Sequence, residues 1–564
     1  MTERSARRLI VALGAVAGIG LRVAIHATAL GRPDSDEVLT ALMVRHLGDA
    51  GFPVFVWGQH YGGTAWLPVV AVSLGLLGDN LLGLRVPNLL LSVANVWLLY
   101  RLARRAFPEV WAALVGVLLW IGPPATLWFG IHEQLFYPPT TALGLGLLLL
   151  VHRMVERPGA WTDPAGFGLL AGIGWWTGAN IIYFAVPAVV WAVVACTGWE
   201  PARMRVESHP EQVRGRADRV WGPTGLVDGR RLGVLVGAAA AGGLPWLVDV
   251  VRSDGAPLSA TSTFPRIGTF PSRVGYLFRE ALPGALGARD ILSHDWAWGA
   301  VGMALAIVLL AALAIGWWQG WKQRSWDAIG AVWFVVVYAA IGWSPDDPNL
   351  RYTFFAAPFL VMLVARAARF VATGVGPLAK SRADAAGGVT VGVGGEPTFH
   401  RARRATSVAL VVIVIWTGLS AMSLARLHHL SENGGTVYRV GNVPDLDDVI
   451  AILDRERVTR VWGDYWVAYR LVFETDERII ATPSAGIRRY DPYTDELRRA
   501  DRSAWVALKA TQADALVAAM NGLGVGYQRF DTEHFVVIVP ERPIQPEELP
   551  EAARRAPETP RPTL

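Results

Sequence analysis

Cysteine is almost absent: Cys196 is the single one in 564 residues, so no intrachain disulfide can form. Charge is thin as well. Asp, Glu, Lys and Arg make up 18% of the chain, where a soluble protein carries about a quarter. The shortage is uneven. Residues 9–425 hold long apolar runs, whereas residues 426–564 have the composition of an ordinary soluble domain. A wholly soluble fold is therefore excluded. The pI near 9.4 does not point to nucleic acid, because the basic residues cluster in loops between apolar runs, where membrane topology accounts for them. What is abundant is tryptophan, 25 in all. Trp66, Trp111, Trp246, Trp317 and Trp318 stand at the ends of apolar runs, the depth that indole rings favour in a bilayer.

A helix needs about 20 apolar residues to cross the hydrocarbon core. Spans are predicted at roughly 9–30, 82–100, 110–129, 135–153, 165–179, 181–198, 232–251, 297–318, 327–343, 352–371 and 405–425. The expected architecture is an α-helical polytopic membrane domain of about eleven helices. Only Gly178-Ala179-Asn180 separates the two spans at 165–179 and 181–198. The run 65–78 is apolar but too short to cross, and is expected to lie at the interface. The first run follows Thr-Glu-Arg-Ser-Ala-Arg-Arg without a persuasive cleavage site, so it reads as an uncleaved helix.

Orientation follows from Lys and Arg in the loops. Alternate loops are basic: Arg4, Arg7 and Arg8; Arg101, Arg104 and Arg105; Arg153 and Arg157; Arg203 through Arg231; Lys322 and Arg324; Arg366 through Arg404. The others are acidic or mixed. The N-terminus is thus expected in the cytoplasm, and an odd number of spans places residues 426–564 outside it. Residues 372–404, Gly-rich and basic, read as a flexible loop. Three units are expected: a membrane domain at 1–425, a small extracytoplasmic α/β domain at 426–540, and a disordered tail at 541–564. Within the second, helices are predicted at 445–457 and 511–521, and strands at 458–462, 478–481, 505–508 and 535–539.

The outer loops carry the chemistry. The first, about 31–81, is long, and loops of that length are usually functional. It holds Asp36 and Glu37 just beyond the first span, then an amphipathic stretch 38–49, then His60 and Tyr61. Asp36 reads equally as a general base, a metal ligand or the N-cap of a helix at 38–49. The second outer loop brings His132 and Glu133, either solvated at the interface or facing Asp36 across a cavity. The last short one runs from Asp346 to Arg351 and Tyr352, where Arg351 is either a snorkelling anchor or a phosphate ligand. Arg22 and His26 lie in the outer half of the first span. Arg266, Arg273, Arg279 and Arg289 occupy a long outer loop at 252–296 that could fold over a substrate. The cluster from Trp462 to Trp466 reads either as a sugar-stacking surface or as core and turn of the α/β domain.

The order of these features carries a family likeness. A basic N-terminus and one span lead to Asp36-Glu37 in a long outer loop. Tyr61-Gly62-Gly63-Thr64, an interfacial helix, Gly78 and Arg85-Val86-Pro87 follow, and the next span ends in Tyr100-Arg101-Leu102-Ala103-Arg104; Arg351-Tyr352 opens a late one. This resembles the GT-C superfamily of polyprenyl-phosphate-sugar-dependent glycosyltransferases, nearest in pattern to the bacterial protein O-mannosyltransferase and aminoarabinose-transferase group. The likeness is best over about 9–200, fair at 340–370 and absent in the C-terminal domain. The loop offering His132-Glu133 departs from the family's acidic pattern.

The resemblance implies an inverting hexosyl or pentosyl transferase. It would move a sugar from a lipid phosphate to a lipid, glycan or protein acceptor outside the cytoplasm. By that likeness Asp36 is the base, and Glu37 holds the acceptor or a divalent ion. Arg351 and Tyr352, with Arg266 and Arg279, take the donor phosphate. His60, Tyr61, His132, Glu133 and Arg22 line the acceptor pocket. No cofactor is certain and a divalent metal is left open. A transporter or flippase is the rival class, but no internal repeat is visible and the ionisable residues gather at one face rather than at midplane. A non-catalytic assembly protein whose C-terminal domain binds a partner is the third reading.

Overall fold

The computed structural model describes residues 2–157, 160–196, 228–262, 264, 266–289, 295–343, 350–373, 398–432, 443–509 and 511–554. Its first part is a helical bundle: α1 (Glu3–His26), α2 (Ser35–Arg45), α3 (Leu67–Leu77), α4 (Leu81–Ala106), α5 (Glu109–Ile121), α6 (Tyr137–Glu156), α7 (Thr162–Thr177), α8 (Ile182–Cys196), α9 (Gly229–Gly242), α10 (Leu244–Arg252), α11 (Ala300–Lys322), α12 (Trp326–Ala340), α13 (Ala357–Thr373) and α14 (Thr398–Glu432).

Every predicted span falls on a helix, yet not every such helix is a full span. Among the described residues, seven helical segments are long and apolar enough to cross a bilayer, and eight if α9 and α10, bent by 62°, form one. The chain is an integral membrane protein. The shortfall lies in α5, α7 and α12, with 13, 16 and 15 residues. At 1.5 Å per residue these reach about 20–24 Å, against a hydrocarbon core of about 30 Å. The segment at 110–129 breaks because Gly122 (φ +70°) and two prolines end α5, and a short helix, Pro124–Phe129, restarts the chain. Burial explains how α5 stays short. Packed among α1, α4, α13 and α14, it is enclosed along most of its length and has no lipid-facing stripe to extend.

Small residues allow the closest helix contacts. A methyl group on Gly168 or Gly172 of α7 would come within 2.1 Å of the carbonyl oxygens of Leu235 and Ala239 on α9. Such close backbone approach is how membrane helices gain packing energy where lipid removes the hydrophobic drive. Lipid-facing positions such as Val16, Ile307 and Val414 are exposed.

The C-terminal domain is a five-stranded sheet in the order β2-β1-β3-β5-β4, with β1 (Arg460–Gly463), β2 (Ile480–Pro483), β3 (Ala504–Leu508), β4 (Tyr527–Asp531) and β5 (Phe535–Pro540). β2, β1 and β3 run parallel, and β5 and β4 complete the sheet antiparallel. Helices α15 (Asp447–Arg455), α16 (Tyr465–Glu474), α17 (Asp491–Arg498) and α18 (Ala513–Gly522) accompany it. The sequence reading missed α16, α17 and β4. The segment expected to be a disordered tail is structured as far as Arg554. Ile544, Leu549 and Ala553 are buried, and Gln512 donates to the Ala553 carbonyl at 2.9 Å. Residues 555–564 lie outside the described residues, as do 374–397 of the predicted basic loop and 346–349 of the last outer loop.

One packing fact positions the site. Val38, Leu39 and Leu42 of α2 share a continuous apolar core with Val467, Tyr469 and Leu471 of α16. The helix that carries Asp36 is therefore clamped between the bundle and the C-terminal domain.

Candidate active site

The N-terminus of α2 is set by Asp34, not Asp36. Asp34 is the N-cap, and its Oδ1 accepts the Glu37 amide at 2.7 Å. This corrects the capping alternative for Asp36 and leaves that carboxylate available for other work. Burial above all, then the charges of Asp36 and Glu37, push the Asp34 carboxyl well above its ordinary range.

Asp36 is half-buried at the junction of the two domains. Its Oδ1 accepts the Tyr465 hydroxyl at 2.5 Å. Arg489 Nε donates to the same phenolic oxygen at 3.1 Å, and Arg489 Nη1 donates to Gln59 Oε1 at 2.5 Å. Tyr61 lies near enough to Arg489 to add to its electrostatic surroundings. Asp36, Gln59, Tyr61, Tyr465 and Arg489 thus form one polar cluster over the bundle.

Glu37 faces the other way. It is fully buried, and Arg85 Nε and Nη2 each bond one of its oxygens at 2.7 Å. The Glu133 amide donates to Glu37 Oε1 at 2.9 Å. Burial alone would raise the Glu37 carboxyl, but the charge of Arg85 above all, with these bonds, holds it below its usual value. With both oxygens occupied, Glu37 braces the loop instead of meeting an acceptor as expected from the resemblance. Arg85 also ties the 3-10 turn that follows α1, Ala29–Gly31, by donating to the Gly31 carbonyl at 2.9 Å.

His132 and Glu133 form a layer beneath Glu37 and do not face Asp36 across an open cavity. Both are fully buried. His132 stacks on Trp128 at 4.1 Å, and burial pushes its pKa down to about 4, so it is neutral at pH 7. The Glu133 carboxyl has no hydrogen-bond partner among the described residues. Burial, then Glu37, hold it well above the usual range, which keeps it protonated. His60 is exposed and contacts Asp249 of α10 at 3.1 Å. Arg22 is turned into the bundle, donating to the carbonyls of Gly18 and Trp120 and lying 3.6 Å over the Trp120 ring. Neither joins the Asp36 cluster. Among the described residues, no three or more His, Cys, Asp or Glu side chains converge as a metal site would.

Comparison with known proteins agrees with this architecture. The family model for dolichyl-phosphate-mannose-protein mannosyltransferase matches residues 63–205. No curated protein matches the sequence. Among solved structures, ArnT from Cupriavidus metallidurans bound to undecaprenyl phosphate superposes with a TM-score of 0.55 at 14% identity, covering 97% of this chain and 98% of that one. The chain has the GT-C fold. Two structures of the Archaeoglobus fulgidus oligosaccharyltransferase are also similar, each with a TM-score of 0.47 at 13% identity. The apo form covers 91% of this chain and 71% of that one. The complex of this enzyme, AglB, with an inhibitory peptide and a dolichol-phosphate covers 94% and 74%.

Within this GT-C fold, a second group of predicted residues lies along an aromatic wall. Tyr61 meets Phe264 edge-on at 5.9 Å, Phe264 meets Trp343 at 5.4 Å, and Trp343 Nε1 donates to the Tyr352 hydroxyl at 2.9 Å. Arg351 sits 5.9 Å from the Tyr352 ring at the start of a 3-10 helix, Arg351–Ala356. Arg266 is exposed and packs beside Gly342. Arg279 is exposed and, among the described residues, hydrogen-bonds only the Gly275 carbonyl one turn back, so it stands apart. The far end of that 3-10 helix, Ala356, lines an apolar groove of about 410 Å³ with Phe278, Leu310, Trp317, Phe334 and Leu363.

Sequence reasoning missed Arg489, and reached Tyr465 only as part of a sugar-stacking alternative, not as a partner of Asp36. The available signal was Asp464 before the apolar-periodic run 465–473, which marks a helix start. It did not say that this helix would begin against Asp36.

Proposed function

We propose that this protein transfers a sugar from a polyprenyl-phosphate donor to an acceptor hydroxyl or amine on the non-cytosolic face of the membrane, inverting the anomeric centre. The observation that carries the reading is the place of Asp36: a half-buried carboxylate beyond the first span, at the domain junction, with one oxygen held by a phenol. Its Oδ2 takes the acceptor proton while the acceptor oxygen or nitrogen attacks the anomeric carbon. The bond from that carbon to the phosphate oxygen breaks, and its electron pair leaves with the lipid phosphate. That leaving group is a weak base and needs cations rather than a general acid. Arg351 and Arg266 supply them beside Tyr352, and the apolar groove takes the adjoining lipid chain. The likeness to a structure with bound undecaprenyl phosphate supports this class of donor. The basic loops support a cytoplasmic N-terminus and an outer C-terminal domain.

Lipid extracts test the reading. In cells whose copy carries Asp36→Asn, mass spectrometry is expected to find accumulated polyprenyl-phosphate sugar while the protein remains in the membrane. Unchanged lipid-linked sugar pools would remove Asp36 from the base role.

A further inference from the structure

We propose that the C-terminal domain completes the catalytic site, with Tyr465 and Arg489 acting as positioning residues for Asp36. The inference rests on the reading of Asp36 as the base and adds a role for a domain that lies outside the stretch matched by the family model.

The topology aims this domain at the site. Tyr465 follows the carboxyl end of β1, and Arg489 ends the loop that follows the carboxyl end of β2. These are adjacent parallel strands, and loops at the carboxyl ends of parallel strands are where α/β folds place ligand-contacting groups. Both loops are fixed from two sides. Asp464 caps α16 by accepting the Trp466 amide at 2.9 Å, and Ser35, next to Asp36, donates to the Tyr465 carbonyl at 2.7 Å. The Arg489 amide donates to the Tyr469 hydroxyl at 2.5 Å. Gly58 packs so tightly on the other loop that a methyl group there would lie 2.5 Å from the Arg488 carbonyl oxygen, and its φ of +69° suits glycine.

This geometry does two things for a base. The Tyr465 hydroxyl fixes the Asp36 carboxylate in one rotamer and leaves Oδ2 to face the acceptor. Arg489, donating to the phenolic oxygen, strengthens that O–H as a donor. Burial and the neighbouring Asp36 hold the Tyr465 hydroxyl well above its ordinary range, so it stays protonated at working pH. The other titratable groups around Asp36 are Asp34 and Glu37 on its own helix, Arg85 against Glu37, and Tyr61 beside Arg489.

The test uses the full chain in liposomes with a polyprenyl-phosphate sugar donor. Tyr465→Phe keeps the ring and removes one hydrogen bond to an ionised carboxylate. It is expected to lower kcat about 10- to 100-fold, with the donor KM changed by less than about threefold. The acidic limb of the pH–rate profile should move to higher pH, a shift that a merely structural role would not produce. Arg489→Gln should move both quantities the same way by less, and carries the test if Tyr465→Phe does not accumulate. A wild-type kcat and pH limb in these variants, with Asp36→Asn inactive, would overturn the positioning role and leave the base intact. An active Asp36→Asn variant would overturn both.

Discussion

Arg85→Leu probes the brace beneath the site. Arg85 is 5% exposed and, among the described residues, supplies two of the three hydrogen bonds to the fully buried Glu37 carboxylate. Breaking a buried ion pair from one side costs about 3–5 kcal/mol. A second route gives a similar figure. The stranded Glu37 can take a proton, which at pH 7 costs a carboxyl of ordinary pKa roughly 4 kcal/mol. Both routes put the expected loss at about 3–4 kcal/mol at pH 7, and protonation brings it to about 1 kcal/mol at pH 5. The sign is specific: the wild-type Glu37 has a depressed pKa, so its contribution to stability is present above its unfolded value and is lost on acidification. Thermal unfolding in nanodiscs at pH 7 and pH 5 reads both numbers. The double variant Glu37→Gln with Arg85→Leu should recover most of the loss at pH 7. Wild-type stability of Arg85→Leu at pH 7, or an equal loss at both pH values, would refute the reasoning.

Other outcomes follow from the same layer and its neighbours. His132 has its pKa lowered to about 4, so its protonation should destabilise the fold as pH falls from about 6.5 toward 4, and His132→Phe should flatten that part of a stability–pH curve. Glu133→Gln should stabilise the protein, and more so at pH 8 than at pH 5, because the wild-type carboxyl must keep its proton at the higher pH; a larger gain at pH 5 would contradict this. Gly63→Ala would place a methyl group 2.0 Å from the Trp176 carbonyl oxygen and should cost about 1–3 kcal/mol in thermal unfolding, since it forces the first outer loop away from α7.

Hydropathy made the bundle legible in the sequence, because long apolar runs have few alternatives to a membrane. It did not give span lengths. The break at Gly122-Pro123-Pro124 and the bend between α9 and α10 depend on what each helix packs against, and a window average passes over both. In the C-terminal domain, β1, β2, β3 and β5 showed as apolar runs, whereas β4, an edge strand with a largely exposed face, carried no such signal. Asp36 was legible as chemistry from its place after the first span. Its partners were not, since Tyr465 stands 429 residues away and meets it only through tertiary docking. The same holds for Glu37, which shared the resemblance of its neighbour while its side chain turned inward to Arg85. The Trp462–Trp466 cluster divides by residue: Trp462 is buried core and Asp464 a helix cap, and Tyr465 reaches the site.

Side-by-side turnover of wild-type and Asp36→Asn protein, each purified and supplied with the same polyprenyl-phosphate sugar and membrane acceptor fraction, bears most directly on the central claim. Wild-type protein should move label from lipid to acceptor, and the variant should bind the donor yet transfer it at least about 100-fold more slowly. Equal transfer by the two proteins would contradict the assignment of Asp36 as the proton acceptor.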